Sequence, residues 1–340
     1  MILFVDLKIQ HKALKSKTEE RTQRVFVHRR CIVSPEIVEL ENKIASYLGA
    51  KHCIATCGNA HCLFIAMMEL GINAGDEVIT TRLTFVAAAE KIASIGIKPV
   101  YVDIDAETYN INPARIETAI SAKTKAIMPV SRYGQCADMD AINAIADKHG
   151  LSVIEDAAQS FGSTDKGKKS CAISTVDYAS FFPRKPLGAY GDGGALFTDN
   201  DILAKAMREI RLHGQDRRQH YPRIGINGCL ETIQAAVLLA KPERLDGEVA
   251  QRLKVAATYS AMLDSRCPNA TTPYIEAQNT SANARFASLT KDGDAAARRI
   301  NKQDVPTAIH YPVRLKSPPA HSGDFEACPT LIPTKFLLAC

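Results

Sequence analysis

The amino-acid sequence predicts an α/β protein with a mostly parallel sheet covered by helices on both faces. Three observations lead there. From about residue 36 helical and strand-like segments alternate along the chain. The strand-like segments are short, as in a sheet whose connections are helices. A chain of 340 residues with 46% hydrophobic content can bury a core large enough for one large domain plus a smaller one.

The elements follow in order. PEIVELENKIASYLGA carries apolar residues at helical spacing, CIAT reads as a strand, AHCLFIAMMELG as a helix, and GDEVIT as a turn and strand. FVAAAEKIASIG is helical again and KPVYVDID is a strand with a polar edge. NPARIETAI opens with Asn112 as a cap and Pro113 at the first helical position, which predicts another helix. KAIMPV, DMDAINAIADKHG and LSVIEDAA continue as strand, helix and strand. After Phe197, residues 200–213 read as helical, 214–229 as polar and irregular, and 230–264 as one long helix leading into a second domain. From about 265 onward the chain is rich in Asn, Thr, Pro and Ser and poorly periodic. The expected division is a large domain over 1–240 and a small one over 241–340.

Composition excludes several classes. A net charge of +5 suits anionic small molecules and is too weak for nucleic acid; the basic pairs are scattered without interleaved aromatics. MILFVDLK lacks the apolar run of a signal peptide, and no stretch approaches the roughly 20 apolar residues of a membrane helix, so a cytosolic location is expected. The ten cysteines include no C-x-x-C, and reduced thiols with no metal are expected.

In open α/β sheets ligands bind beyond the carboxyl ends of the strands, so the residues there are the candidates. After CIAT, Cys57-Gly58-Asn59-Ala60 opens a helix whose N-terminal amides suit a phosphate or simply make a tight turn. After EVIT, Phe85 is a stacking aromatic or ordinary core. After LSVI, Asp156 is either the partner of a positive group or a helix cap, and the small Ala157 and Ala158 leave room for a flat ligand. In SFFPRKPLG, Lys185 is either a desolvated nucleophile or a lysine with its head in water. A phosphate cradle, a stacking ring, an aspartate for a ring nitrogen and a carbonyl-reactive lysine together specify pyridoxal phosphate.

At these residues the chain resembles the DegT/StrS-type nucleotide-sugar aminotransferases. The likeness runs through GDEVITTRLTFVAAAE, KPVYVDID, YGQCADMDAI, VIEDAAQSFGS, SFFPRKPLGAYGDGGALFT, HGQDRR and PTAIHYP. It implies the fold type I (aspartate-aminotransferase-like) architecture, a three-layer large domain and a smaller α+β C-terminal domain. It further implies Lys185 as the catalytic lysine and covalent anchor, Asp156 on the pyridinium nitrogen, Gln159 on the ring hydroxyl, and Ala158 and Phe85 on the two ring faces. Ser180 would hold the phosphate beside Asn59 and Ala60, and Asn227 would reach the neighbouring subunit's phosphate, which makes a homodimer the active unit. The closest likeness is to members that aminate the 3-keto carbon of a UDP-linked 2-acetamido uronic acid in O-antigen synthesis, with glutamate as donor. There His310 and Tyr311 would contact the sugar carboxylate.

The chain departs from that pattern in places. Gly58-Asn59-Ala60 stands where the family has N-G-T or S-G-T, Cys229 stands where it has arginine, and the C-terminus is shorter, which implies a shortened small domain. These departures motivate an alternative, a non-catalytic or sensory relative or a decayed enzyme. A dinucleotide-binding oxidoreductase would need a G-x-G-x-x-G after the first strand, which is lacking.

Overall fold

The structure is a computed structural model that describes residues 3, 5–310 and 336–339. The chain opens with a helix that the sequence reading did not anticipate, α1 (Leu7–His28). Its periodicity is weak because it buries only Leu14, Thr18 and Val25. Polar contacts hold it instead: Asp6 accepts from the amides of Lys8 and Ile9, Lys15–Glu19 and Glu20–Arg24 pair across single turns, and Lys17–Glu243 and Arg21–Glu39 tie the helix to the rest of the fold.

Alternation then begins with α2 (Pro35–Leu48), β1 (His52–Thr56), α3 (Asn59–Glu69), β2 (Glu77–Thr81), α4 (Val86–Ser94) and β3 (Lys98–Val102). It continues with β4 (Thr124–Ile127), α5 (Met139–His149), β5 (Ser152–Asp156), a small hairpin of β6 (Thr164–Asp165) and β7 (Lys168–Lys169), β8 (Val176–Ser180), β9 (Gly194–Thr198) and α6 (Asp201–Arg211). The predicted helix at 112–120 is two short 3₁₀ turns, Pro113–Arg115 and Glu117–Ala119. Asn112 does cap, accepting from the Ala114 amide at 3.0 Å, but Ile120 is already extended, so no α-helix propagates.

Seven strands form one sheet in the order β1-β9-β8-β5-β4-β2-β3. Every pair from β8 to β3 is parallel, and β9 alone runs against its neighbours β8 and β1. Alternating side chains divide between the two faces. Cys53, Ala55, Ala195 and Phe197 join Leu40, Ile44 and Leu238 on one side. Ile54, Leu196 and Tyr178 join Leu63, Met67 and Met207 on the other. A third cluster packs Ile142 of α5 against Ile79, Val102 and Ile127.

The predicted helix over 230–264 is two helices, α7 (Thr232–Leu239) and α8 (Pro242–Arg266). Pro242 offers no amide and its ring excludes the continuing turn, so the Lys241 amide closes a short bond to Leu238 and α8 restarts with proline at its first position. Beyond α8 lies a four-stranded antiparallel sheet in the order β10-β11-β13-β12, built from β10 (Ala270–Thr271), β11 (Phe286–Thr290), β12 (Thr307–Ile309) and β13 (Phe336–Ala339), with α9 (Gly293–Asn301) beside it. The segment before β11 returns to the large sheet. Gln135 donates to the Tyr274 carbonyl, Thr280 bridges Thr164, and the Ala282 amide donates to Gly134. Gly134 has φ +116°, and a Cβ there would stand 2.5 Å from the Asn283 amide, so only glycine permits this approach. No helix among the described residues is long and apolar enough to cross a membrane.

Candidate active site

The site is laid out along the carboxyl edge of the sheet. Thr56 at the end of β1 pairs with Gly194 at the start of β9, and Gly194 pairs with Ser180 at the end of β8. Two residues back on β8, Tyr178 pairs with Asp156 at the end of β5. A Cβ on Gly194 would lie 3.0 Å from the Asn59 amide, 2.9 Å from the Ala179 carbonyl and 2.8 Å from Cys62 Sγ. That close approach brings the N-terminus of α3, with Asn59 and Ala60 in its first turn, against the strand that carries Ser180's partner. The exposed donors of that turn and the Ser180 hydroxyl thus converge on one corner. Ser180 is buried and its Oγ already accepts from the Phe182 amide at 3.3 Å, so its proton is available to an acceptor.

Asp156 is buried, and its Oδ1 accepts from the Ala158 amide at 3.0 Å. It caps a tight turn and not a helix. Burial raises its pKa, opposed by the charge of Lys185, by the Ala158 amide and by the Tyr178 hydroxyl. A positive N–H group brought to it would relieve that cost. Gln159, also buried, accepts the Tyr133 amide at 3.1 Å through Oε1, which leaves its Nε2 as a donor. Ala158, 7% exposed, sits between them in the chain.

Lys185 lies on a loop held by tight backbone bonds. Its amide donates to the Phe182 carbonyl, the Ala189 amide donates to the Phe181 carbonyl, and a Cβ on Gly188 would stand 2.4 Å from the Pro183 carbonyl. Lys241 buttresses that loop from below, its Nζ donating to the Gly188 carbonyl at 2.5 Å and to Gln10 at 3.0 Å. As a residue Lys185 is half-buried. Desolvation lowers its amine to about 8, against the upward pull of Asp156 and helped by the charges of Arg285 and Arg132. The amine is thus desolvated, which is the condition a carbonyl-reactive lysine requires.

Phe85 is 57% exposed and stands at the N-terminus of α4, beyond the end of β2. It is therefore not ordinary core. Asn227 is exposed too; its carbonyl lies 3.9 Å from Cys57 Sγ, and the Cys57 amide donates to the Gly228 carbonyl, so it stands beside the turn before α3. Cys229 is buried, bridges Thr56 and donates to the Arg211 carbonyl at 3.6 Å. His310 and Lys185 line one cavity of about 410 Å³. Burial, with the positive charge of Arg285, Arg132 and Lys185, lowers His310 to about 4, so it is neutral at ordinary pH. Tyr311 lies outside the described residues.

Sequence reasoning missed three arginines. Arg132 follows β4, is 1% exposed, and donates to the Leu83 carbonyl and to the Tyr133 hydroxyl while stacking on that ring at 4.6 Å. The same strand-end rule that selected Asp156 would have found it. Arg252 on α8 and Arg285 before β11 reach the cavity from the poorly periodic half of the chain, where no such rule applied.

The donor set fits pyridoxal phosphate. A buried carboxylate seeks a positive N–H, an amide donor stands near it, a desolvated amine is at hand, and amides with a hydroxyl gather at the other end. These features define a pyridoxal-phosphate-dependent transferase of fold type I. Residues 12–333 match the DegT/DnrJ/EryC1/StrS aminotransferase family. The chain is 52% identical over 329 residues, 97% of its own length and 91% of the relative's, to the UDP-2-acetamido-2-deoxy-3-oxo-D-glucuronate aminotransferase of Pseudomonas aeruginosa. It superposes on DesV from S. venezuelae, solved in complex with a ketimine intermediate, with TM-score 0.95 and 31% identity, covering 99% and 92% of the two chains. NtdA from Bacillus subtilis, solved with bound cofactor PMP, matches at TM-score 0.84 and 30% identity over 91% and 72%. The chain belongs to the DegT/DnrJ/EryC1/StrS aminotransferase family, and it is a pyridoxal-phosphate-dependent aminotransferase of sugar substrates.

Proposed function

We propose that the protein moves the amino group of glutamate to the 3-keto carbon of a UDP-linked 2-acetamido uronic acid, as a cytosolic homodimer serving bacterial surface polysaccharide synthesis. The desolvated amine of Lys185 beside the buried Asp156 is the observation that carries this reading. Near-complete coverage by the P. aeruginosa relative supports the choice of sugar.

When bound, the cofactor supplies an electron sink for the carbon that loses its proton. Lys185 would hold the cofactor between turnovers, and its amine would take up and return the proton of the substrate carbon. Asp156 would keep the ring nitrogen protonated, and Gln159 would donate to the ring hydroxyl. Ala158 and Phe85 would line the ring, while Ser180 and the first turn of α3 at Asn59 and Ala60 would hold the phosphate. Asn227 reaches the phosphate in the second subunit's site, in keeping with its exposure. His310, neutral at ordinary pH, offers the sugar one hydrogen bond but no charge.

The test is a visible absorbance band on adding pyridoxal phosphate, bleached by glutamate and lacking in Lys185→Ala. A band that persists in Lys185→Ala, or one that glutamate leaves untouched, contradicts the reading.

A further inference from the structure

The cavity beside Lys185 is strongly cationic. Arg184, Lys185, Arg252 and Arg285 line it, and no acidic side chain does so among the described residues. Buried guanidinium nitrogens are normally hydrogen-bonded. Here Nη1 of Arg252 and Nη1 of Arg285 are both closed off from solvent with no hydrogen-bond partner among the described residues. Glu248, one turn before Arg252, offsets that arginine in part, but it also faces Arg244 at 3.7 Å. Among the described residues no carboxylate forms an ion pair with Arg285, and its charge bears on Lys185 and His310. Both side chains are half-exposed, but an enclosed guanidinium nitrogen with no acceptor carries a desolvation cost that an anionic ligand removes.

The rest of the lining narrows the kind of anion. Val255, Ala256, Tyr259 and Phe286 form an apolar wall, the two rings tilted at 53° with centroids 5.2 Å apart. A sugar ring or an aliphatic stem can lie on such a wall while its charged edge meets the arginines. A diphosphate is bulky, tetrahedral and strongly hydrated. Enclosed nitrogens on planar forks match a small planar anion better. Neutral His310 cannot supply the charge itself, and Cys229 is occupied with the Arg211 carbonyl.

We propose that Arg285, supported by Arg252, binds a substrate carboxylate and so selects carboxylate-bearing substrates at the Lys185 site. The proposal rests on the transaminase reading. The carboxylate can be that of the uronic acid acceptor or that of the amino donor.

The test uses the full-length, cofactor-loaded protein and two nucleotide sugars that differ only at this group, UDP-glucuronate and UDP-glucose, with binding followed by calorimetry. Arg285→Gln is expected to weaken UDP-glucuronate by about 10- to 100-fold, as loss of a charged hydrogen bond implies, and to leave UDP-glucose within about threefold. If instead the glutamate half-reaction falls by that factor with both nucleotides unchanged, the carboxylate is the donor's. Arg252→Gln should reproduce the pattern more weakly, and an unchanged cofactor band and melting temperature show that the variants are folded. Equal weakening of both nucleotides assigns the arginines to the diphosphate and overturns the proposal, as does no change in any of the three ligands. A wild-type protein that binds UDP-glucuronate selectively yet transfers no amino group defeats the transaminase reading, whereas the arginine–carboxylate contact itself is decided by the binding comparison.

Discussion

Lys185 is the group whose behaviour the fold most directly sets, and Asp156→Asn perturbs it. With a pKa of about 8, roughly a quarter of Lys185 is neutral at about pH 7.5, against roughly 0.1% for an ordinary lysine near 10.4, a gain of roughly 200-fold in the reactive form. Burial produces that gain and the Asp156 carboxylate works against it. Removing the carboxylate must therefore move the pKa further down, even though it also removes the partner of the ring nitrogen. The assay is stopped-flow capture of pyridoxal phosphate by the cofactor-free protein as a function of pH. The rate constant should rise through an inflection near 8 in the wild type and through a lower one in Asp156→Asn, whatever the final absorbance. An inflection near 10 in the wild type would refute the desolvation argument. An inflection unmoved by Asp156→Asn would show that the two groups do not feel each other.

Four other substitutions test three separate parts of the structure. Ser180→Ala should loosen the cofactor by about 10- to 150-fold, since a hydrogen bond to a charged group is worth ~1.5–3 kcal/mol, and Ala60→Thr, which adds a hydroxyl to the first turn of α3, should tighten it; equilibrium dialysis with pyridoxal phosphate gives both signs. The buried pair of Arg211 and Glu41, 2.5 Å apart, also holds the Ala55 amide and carbonyl, so Glu41→Ala should cost ~3–5 kcal/mol in urea unfolding because it strands the arginine. Asp177, buried beside Glu155 and hydrogen-bonded to it, has its pKa raised well above the usual carboxylate range, chiefly by desolvation. Its folded pKa exceeds its unfolded value of ~3.9, so its contribution is complete below about pH 4 and is lost as pH rises toward the raised pKa, at up to ~1.4 kcal/mol per pH unit. Asp177→Asn should flatten that decline in melting temperature as pH rises above about 4, and an equally steep decline in the variant would count against the assignment.

How much of this was legible in the sequence varied with the kind of signal. The parallel sheet was readable because strand and helix patterns alternate cleanly up to Asp156, and the strand-end rule then points to particular residues as candidates. It selected Asp156, whose role as a turn cap needed the structure to separate it from a helix cap. The break at Pro242 was present in the sequence, but apolar spacing ran across it and masked the restart of the helix. Helix α1 escaped because it buries only three residues and is held by its cap and by ion pairs, some of them to distant residues such as Glu39 and Glu243, which leave no apolar period. Arg252 and Arg285 were invisible for a different reason. Their place in the cavity depends on residues 274–284 folding back over Gly134 and Gln135, long-range contacts that leave no local pattern.

The central claim is that this site moves nitrogen from an amino acid to a keto sugar. The most direct test gives the loaded protein glutamate with an isotopically labelled amino group and a UDP-linked 2-acetamido-3-keto uronic acid, then follows the label by mass spectrometry. The account predicts labelled nitrogen in the sugar at carbon 3, abolished in Lys185→Ala. Label retained wholly in glutamate, with the cofactor bound and the sugar present, would contradict it.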